Sequence, residues 1–152
     1  MSYLLLKWLH VLAAIVAVGA NVTYGIWLLH ASRNSEALPF TLRGIKLIDD
    51  RIASPAYGLL LVTGLVMVFI VKLPLTTPWL MTALVLYVLA VLVGLLGYTP
   101  TLRRQIQLLD REGFQSPRYQ ALARRGAMLG VVLAVLVMVI VFLMVVKPGL
   151  WG

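Results

Sequence analysis

A lysine and a histidine stand three positions apart in an apolar stretch near the start of the chain. Lys7 and His10 lie within YLLLKWLHVLAA, from Tyr3 to Ala14, a segment otherwise suited to crossing a bilayer. An imidazole held inside a membrane bundle can bind a metal ion or a heme iron through one ring nitrogen. Whether His10 can do so depends on its depth and on the side chains that other helices place at that depth.

The composition identifies the class of protein in which this histidine acts. Hydrophobic residues make up 62% of the 152 residues and charged residues only 12%, and the mean hydropathy is +1.00. A water-soluble domain carries roughly a quarter charged residues, so most of this surface must face lipid. The sequence has no cysteine, which excludes disulfides, thiolate metal sites and cysteine nucleophiles.

Four apolar runs are long enough to cross a hydrocarbon core, which takes about 20 helical residues. They cover approximately residues 3–29, 55–71, 79–98 and 126–146. The sequence therefore predicts a single all-α integral membrane domain, a bundle of four transmembrane helices. A short amphipathic helix is expected in each of the two connecting loops on the cytoplasmic surface, with its apolar side chains toward the lipid.

The basic residues predict the orientation of the bundle. Ten lie in the two loops that join helix one to two and helix three to four: Arg33, Arg43, Lys46, Arg51, Arg103, Arg104, Arg111, Arg118, Arg124 and Arg125. The other side has only Lys7, Lys72 and Lys147. Loops rich in Lys and Arg stay in the cytoplasm, which predicts a bacterial inner-membrane protein with both termini outside. Trp8, Trp79 and Trp151 are expected at the outer interface.

The charged residues also argue against two function classes. All five acidic residues lie in the two basic loops, whereas proton and cation carriers place a carboxylate within a span. Aromatic residues are sparse among the basic ones, with only Phe40, Phe114 and Tyr119 in these loops, whereas a single-strand nucleic-acid platform needs a series of stacking side chains. The expected surroundings are therefore anionic lipid headgroups. Residues 41–50 of the first loop also resemble residues 101–110 of the second. Either a duplication or a similar helix in each loop would explain this likeness.

The polar residues of the first helix share one face. At 100° per residue, Lys7, Asn21 and Tyr24 fall within about 60° of His10, together with several alanines and a glycine. Trp8 and Leu12 lie on the opposite side and are expected to face lipid. Because unsatisfied polar groups are costly in hydrocarbon, this polar stripe is expected to be buried in the bundle. The long side chain of Lys7 can either point into the bundle or reach outward to the headgroups.

Three methionines are expected at the depth of His10, about 10 Å below the outer end of helix one. They are Met67, Met81 and Met144. Imidazole and thioether are ligands for heme b or, less favoured, for copper. Alternatively, the methionines are apolar fillers and the histidine joins a hydrogen-bond network. His30 cannot ligate the same heme, because it lies ~30 Å further along a continuous helix and on the opposite face.

The chain resembles an uncharacterised bacterial family of predicted four-helix integral membrane proteins. The likeness covers nearly the whole chain and is sharpest in LLKWLHVLAAIVAVGAN and LRGIKLIDDRIASPAYGLLLVTGL. The WLHVLAA element is also similar to the first helix of copper-resistance D-type proteins and of HemJ-type protoporphyrinogen oxidases. That resemblance implies that His10 binds heme or a metal. The lysine that HemJ-type proteins use is not matched to a position here.

Two functions follow from these observations. The first is heme b or copper binding at His10, in electron transfer or in heme or metal handling. The second is a non-catalytic membrane subunit or assembly protein, in which Lys7, His10 and Asn21 form a structural network. Both are compatible with a homo-oligomer or a larger membrane complex. No Ser, His and acid set converges at one depth, which argues against a hydrolase.

Overall fold

The computed structural model describes residues 2–34 and 36–149, and these residues form an all-helical bundle without strands. The α-helices are α1 (Ser2–Ala31), α2 (Leu38–Ile48), α3 (Ser54–Val71), α4 (Pro78–Leu92), α5 (Thr99–Glu112) and α6 (Pro117–Val146). Two π-helical segments, π1 (Asp49–Ala53) and π2 (Val93–Tyr98), lie between α2 and α3 and between α4 and α5. Four helices are long and apolar enough to cross a membrane, which confirms the predicted fold class.

The two loop helices are continuous with the spans. Residues 38–71 form one helix of 34 residues and residues 78–112 one helix of 35 residues, each about 50 Å long at 1.5 Å per residue. A hydrocarbon core is only ~30 Å thick, so α2 and α5 project beyond it. The expected short amphipathic helices in the two loops are therefore α2 and α5, and each is continuous with a span. Leu42 and Ile45 on α2 are buried within the protein instead of facing lipid.

The prolines explain both where helices begin and where they widen. Pro39, Pro78 and Pro117 lie in the first turn of their helices, where the missing N–H costs nothing. Pro55 and Pro100 each follow a π segment by two residues. Within a continuous helix, a proline ring clashes with the carbonyl four residues earlier. A π turn relieves this clash, because its hydrogen bonds join residues five apart rather than four. The bond from Ser54 N–H to Asp49 O is one of these.

The bundle consists of two helix pairs. α1 packs along α3, and α4 packs along α6, while α1 also contacts α6. The Cα atoms of α3 and α4 come nowhere within 8 Å of each other along these helices, and neither do those of α1 and α4. Two pairs that meet along only part of their length leave a space between them.

The two ends of the bundle differ in how they are packed. We call the end that carries α2, α5 and the first turns of α6 the basic end; the opposite end carries Ser2, Lys72 and Lys147. At the basic end, large side chains such as Leu42, Leu102 and Tyr119 form a conventional core. Within the spans the residues with 0% exposure, Ala17 and Ala83, are small, as expected where helices associate without a hydrophobic driving force.

Aromatic residues expected at the outer interface lie at the opposite end. Trp8 is 63% exposed on α1, and the ammonium of Lys147 lies 5.5 Å from the ring centroid of Trp79, a cation–π contact between the ends of α6 and α4. Trp151 lies outside the described residues. The similar loop segments occupy different positions, since α2 leads into a span whereas α5 follows one.

Candidate functional site

The imidazole of His10 lies at the contact between α1 and α3. Its Nδ1 atom is 2.8 Å from the Oγ1 atom of Thr63, a residue that is 3% exposed. A Cβ atom at the next residue, Gly64, would lie 3.1 Å from the Cε1 atom of His10. The glycine therefore allows the ring to approach α3 closely enough to form this hydrogen bond.

The hydrogen-bond network assigns the tautomer of neutral His10. The hydroxyl of Thr63 donates its one proton within α3, to the main-chain oxygen of Leu59 at 2.6 Å. Its oxygen must then accept from His10, so Nδ1 carries the imidazole proton and Nε2 has the lone pair. Metal-bound histidines have this arrangement, in which one nitrogen donates to a fixed acceptor and the other binds.

The three methionines predicted at the depth of His10 lie on three different helices. Met67 is four residues beyond Thr63 on α3, which places it one turn further along the same face, and it is half-buried. Met144 is half-buried on α6, and Met81 on α4 is 46% exposed. Of these three methionines, Met67 lies on α3, the helix that His10 contacts.

The rest of the polar stripe is buried in part. Asn21 donates through Nδ2 to the main-chain oxygen of Ala17 and to the hydroxyl of Tyr57 on α3. Tyr24 is 4% exposed, and its hydroxyl has no hydrogen-bond partner in the described part of the chain. Lys7, however, is exposed, which is the outward of the two orientations open to it. A long lysine side chain near a helix end can reach toward water along the surface.

Neither histidine belongs to a metal cluster of conventional ligands in the described part of the chain. Among residues 2–34 and 36–149, no three His, Asp or Glu side chains come together in a group that could hold a metal ion. His30 is exposed in the last turn of α1, at the basic end. It is therefore too far from His10 to bind the same metal ion or heme. Any cofactor at His10 would have to take thioether, main-chain or exogenous groups as its other ligands.

A second site lies between the two helix pairs, toward the basic end. It is a cleft of about 300 Å³, at the lower end of the range for small-molecule sites. The hydroxyl of Tyr87 on α4 crosses the space to donate to the main-chain oxygen of Tyr57 at 2.6 Å. We call this space the tyrosine cleft. Its polar lining residues are Asn21, Asp49, Ser54, Tyr57, Tyr87, Tyr98 and Thr99.

The π segments place two of the polar groups at the cleft. Asp49 is the first residue of π1 and Tyr98 the last residue of π2, and both line the cleft. π-helical turns are rare and occur frequently at functional sites. Their position next to Pro55 and Pro100 gives a physical reason for two wide turns at the same level of the bundle.

Sequence reasoning identified Asn21 and Tyr24 as members of one helix face but did not identify the cleft. Its other polar residues are far apart in the chain and have no common spacing, so only the pairing of the helices brings them together. The signal that could have pointed to it is the pair of prolines at 55 and 100, each inside a segment otherwise suited to one long helix.

Comparison with known proteins gives a family for this fold. No curated protein and no solved structure matches the chain. A family model described as "Predicted integral membrane protein (DUF2269)" matches residues 4–148, which include all four spans, His10 and the tyrosine cleft. The chain therefore belongs to this family of predicted integral membrane proteins.

Proposed function

We propose that this protein binds heme b, which Nε2 of His10 would hold near the end of the bundle opposite the basic end. One observation carries the proposal: Nδ1 of His10 lies 2.8 Å from Oγ1 of Thr63. Because that hydroxyl donates to the main-chain oxygen of Leu59, we infer that Nδ1 is the donor and that the lone pair is on Nε2. A buried hydroxyl that fixes the ring in this tautomer is what a heme or metal ligand needs. The resemblance of the WLHVLAA element to heme-associated and copper-associated membrane proteins supports the same residue.

The roles of the neighbouring residues follow from their positions. Thr63 orients the imidazole, and Gly64 allows its approach. Met67, one turn along the same face of α3, is the candidate for a second ligand. Bound heme would supply one-electron redox chemistry, and its potential would depend on its ligands and on burial. Copper is the alternative ion, since imidazole and thioether also suit it.

The proposed setting is a bacterial inner membrane with the basic end in the cytoplasm and both termini outside. Ten of the 13 Lys and Arg residues lie in the two loops of the basic end, as short cytoplasmic loops do. In this orientation His10 would lie toward the outer face. The protein would then act in electron transfer or in the handling of heme or metal on that side.

A second candidate is a non-catalytic membrane subunit, as a homo-oligomer or within a larger complex. The observation that favours it is that His10 and Asn21 both hydrogen-bond to side chains of α3. These bonds join the two helices whether or not a cofactor is present. In this function His10 would serve helix packing alone, and its loss would weaken the bundle without changing any absorbance.

Optical spectra of the detergent-purified protein, oxidised and dithionite-reduced, distinguish the two functions. We expect a Soret band and a reduced α-band in the wild type and in His30→Ala, the matched control for loss of an imidazole. His10→Asn, which keeps a donor for Thr63 but loses the ligand, should have no bands. Thr63→Val should bind heme 10-fold to 100-fold more weakly, the usual effect of losing the hydrogen bond that orients a metal ligand.

Other results would contradict heme binding at His10. A wild type without bands after expression with added heme precursor, and with no copper in metal analysis, would favour the packing function. Bands that persist in His10→Asn but disappear in His30→Ala would move the ligand to the basic end. Gel filtration of each variant in the same detergent checks that the bundle has assembled.

A further inference from the structure

We propose that the tyrosine cleft binds a lipid-soluble molecule whose head is a flat, uncharged ring with carbonyl oxygens, the chemical class of the membrane quinones. This site is separate from His10, which lies 11 residues, or ~16 Å, from Asn21 along α1. The proposal is one of binding only. It rests on the position of the cleft, the charges around it, and the hydroxyl groups that face it.

The position of the cleft indicates a ligand that arrives through the lipid. Its apolar walls come from α3, α4 and α6, at Leu61, Val91, Leu133 and Val137, all within spans. α3 and α4 flank the cleft with no Cα atoms within 8 Å of each other, so their backbones do not pack together on this side. A hydrocarbon tail could leave between them while the head stays between the pairs.

The charge of the lining argues against a phospholipid headgroup. No Lys or Arg is among the residues that line the cleft, although the basic end carries most of the basic residues, and Asp49 supplies a carboxylate there. An anionic head would lie next to this carboxylate without a cationic partner, at a large desolvation cost. An uncharged head avoids that cost.

The hydroxyl groups at the cleft offer donors to an acceptor oxygen. Tyr98 is 8% exposed, lines the cleft, and has no hydrogen-bond partner for its hydroxyl among the described residues. The hydroxyl of Tyr57 accepts from Asn21, and its own proton has no acceptor in the described chain. Carbonyl oxygens accept without donating. Two tyrosine donors on different helices therefore suit a ring with carbonyl oxygens at separate positions.

The shape of the cleft suits a flat ring. Gly58 on α3 and Gly94 in π2 both line it, and a Cβ atom at either position would meet no atom within 4 Å. The walls at these two glycines are thus bare backbone. Aromatic side chains at 57, 87 and 98 provide faces against which a ring could stack.

The test is titration calorimetry of the full-length protein in detergent with a decyl-substituted dimethoxy-methyl-benzoquinone. We expect saturable binding that weakens about fivefold to tenfold in Tyr98→Phe, which removes one hydrogen bond and keeps the ring. Gly58→Leu, which fills open space and favours the helix, should abolish binding. Tyr119→Phe is the matched control, because Tyr119 is also buried but does not line the cleft, and its affinity should be unchanged.

Three results would overturn the inference. The first is no binding to the wild type. The second is an affinity that neither Tyr98→Phe nor Gly58→Leu changes. The third is equal affinity for decylbenzene, which lacks carbonyl oxygens, because that would assign the cleft to an acyl chain. His10→Asn should leave quinone affinity unchanged, so the failure of heme binding and the failure of this inference are distinguishable.

Discussion

Two side-chain hydrogen bonds join α1 to α3 along one line. His10 and Asn21 are 11 residues apart, close to three full turns, so both side chains leave α1 in nearly the same direction. They bond to Thr63 and Tyr57, which lie in reverse order on α3, as antiparallel helices require. Alanines fill the stripe between them, at Ala13 and Ala17. Small residues permit the close approach, and the polar pairs fix which residues face each other.

The tyrosine hydroxyls differ in what they contribute to stability. The hydroxyl of Tyr87 donates to the main-chain oxygen of Tyr57, whereas that of Tyr24 is buried without a partner in the described chain. A hydrogen bond contributes about 1 kcal/mol, while a buried unpaired polar group costs about 1–3 kcal/mol. We therefore expect Tyr87→Phe to destabilise the bundle by about 1 kcal/mol and Tyr24→Phe to leave it unchanged or stabilise it.

Thermal unfolding of both variants in one detergent, followed by circular dichroism, measures this difference. The two substitutions remove the same atom, so the detergent and the helix propensity affect them equally. A lower unfolding midpoint for Tyr24→Phe than for Tyr87→Phe would contradict this. It would mean that the Tyr24 hydroxyl forms a hydrogen bond that stabilises the protein more than the one from Tyr87.

The long helices show which parts of the fold can be predicted from sequence. The apolar runs predict four spans because lipid requires a minimum length of hydrophobic helix. The continuity of α2 with α3 is not predictable in the same way, because Ser54 and Pro55 together are typical of a helix start. Here the five-residue hydrogen bonding of π1 accommodates the proline, and the helix continues through it.

The candidate sites were predictable to different degrees for a related reason. The face of α1 that carries His10 follows from its helical spacing, but its partner Thr63 depends on how far α1 and α3 are displaced along each other. Sequence spacing within one helix contains no such information. The tyrosine cleft depends on this displacement for all four long helices, because its lining comes from α1, α3, α4 and α6 and from both π segments. Sequence spacing therefore could not predict it.

A π segment contains one residue more than an α-helix of the same length. Deleting one residue can therefore convert it to an α-helix without rotating the helices before and after it. Leu96 lies within π2 and is 74% exposed. We expect its deletion to convert π2 to α-helix, to preserve folding, and to weaken quinone binding by moving Tyr98. Deletion of Met138, which is 62% exposed on the regular helix α6, should strongly lower the unfolding midpoint, since it turns the rest of α6 by about 100°.

Unfolding midpoints and quinone titrations of the two deletion variants measure the effect. Equal destabilisation by both deletions would show that π2 cannot absorb the loss of a residue. Full quinone affinity after deletion of Leu96 would show that binding in the cleft does not depend on the π turn.

The surface of the whole molecule divides into an apolar belt and a charged end. Side chains that are more than 60% exposed within the spans include Leu5, Ile15, Phe69 and Val145, which only lipid or a partner helix would cover favourably. The basic end adds an ion pair in which Nη2 of Arg43 on α2 donates to both carboxylate oxygens of Asp110 on α5, at 2.9 and 3.0 Å. Both side chains are largely exposed, so the pair contributes little to stability and the buried core at this end holds α2 against α5.

The orientation of this asymmetric molecule can be measured with unusual directness, because the sequence contains no cysteine. Thr76 lies in the turn between α3 and α4, Gln115 lies in the turn between α5 and α6, and both are exposed. Thr76→Cys and Gln115→Cys therefore each introduce one thiol, at opposite ends of the bundle. Since basic loops are retained in the cytoplasm, a membrane-impermeant maleimide should label Thr76→Cys in intact spheroplasts and Gln115→Cys only after lysis. The reverse pattern would place the basic end outside, and with it would move His10 to the cytoplasmic half of the membrane and the tyrosine cleft to the outer half.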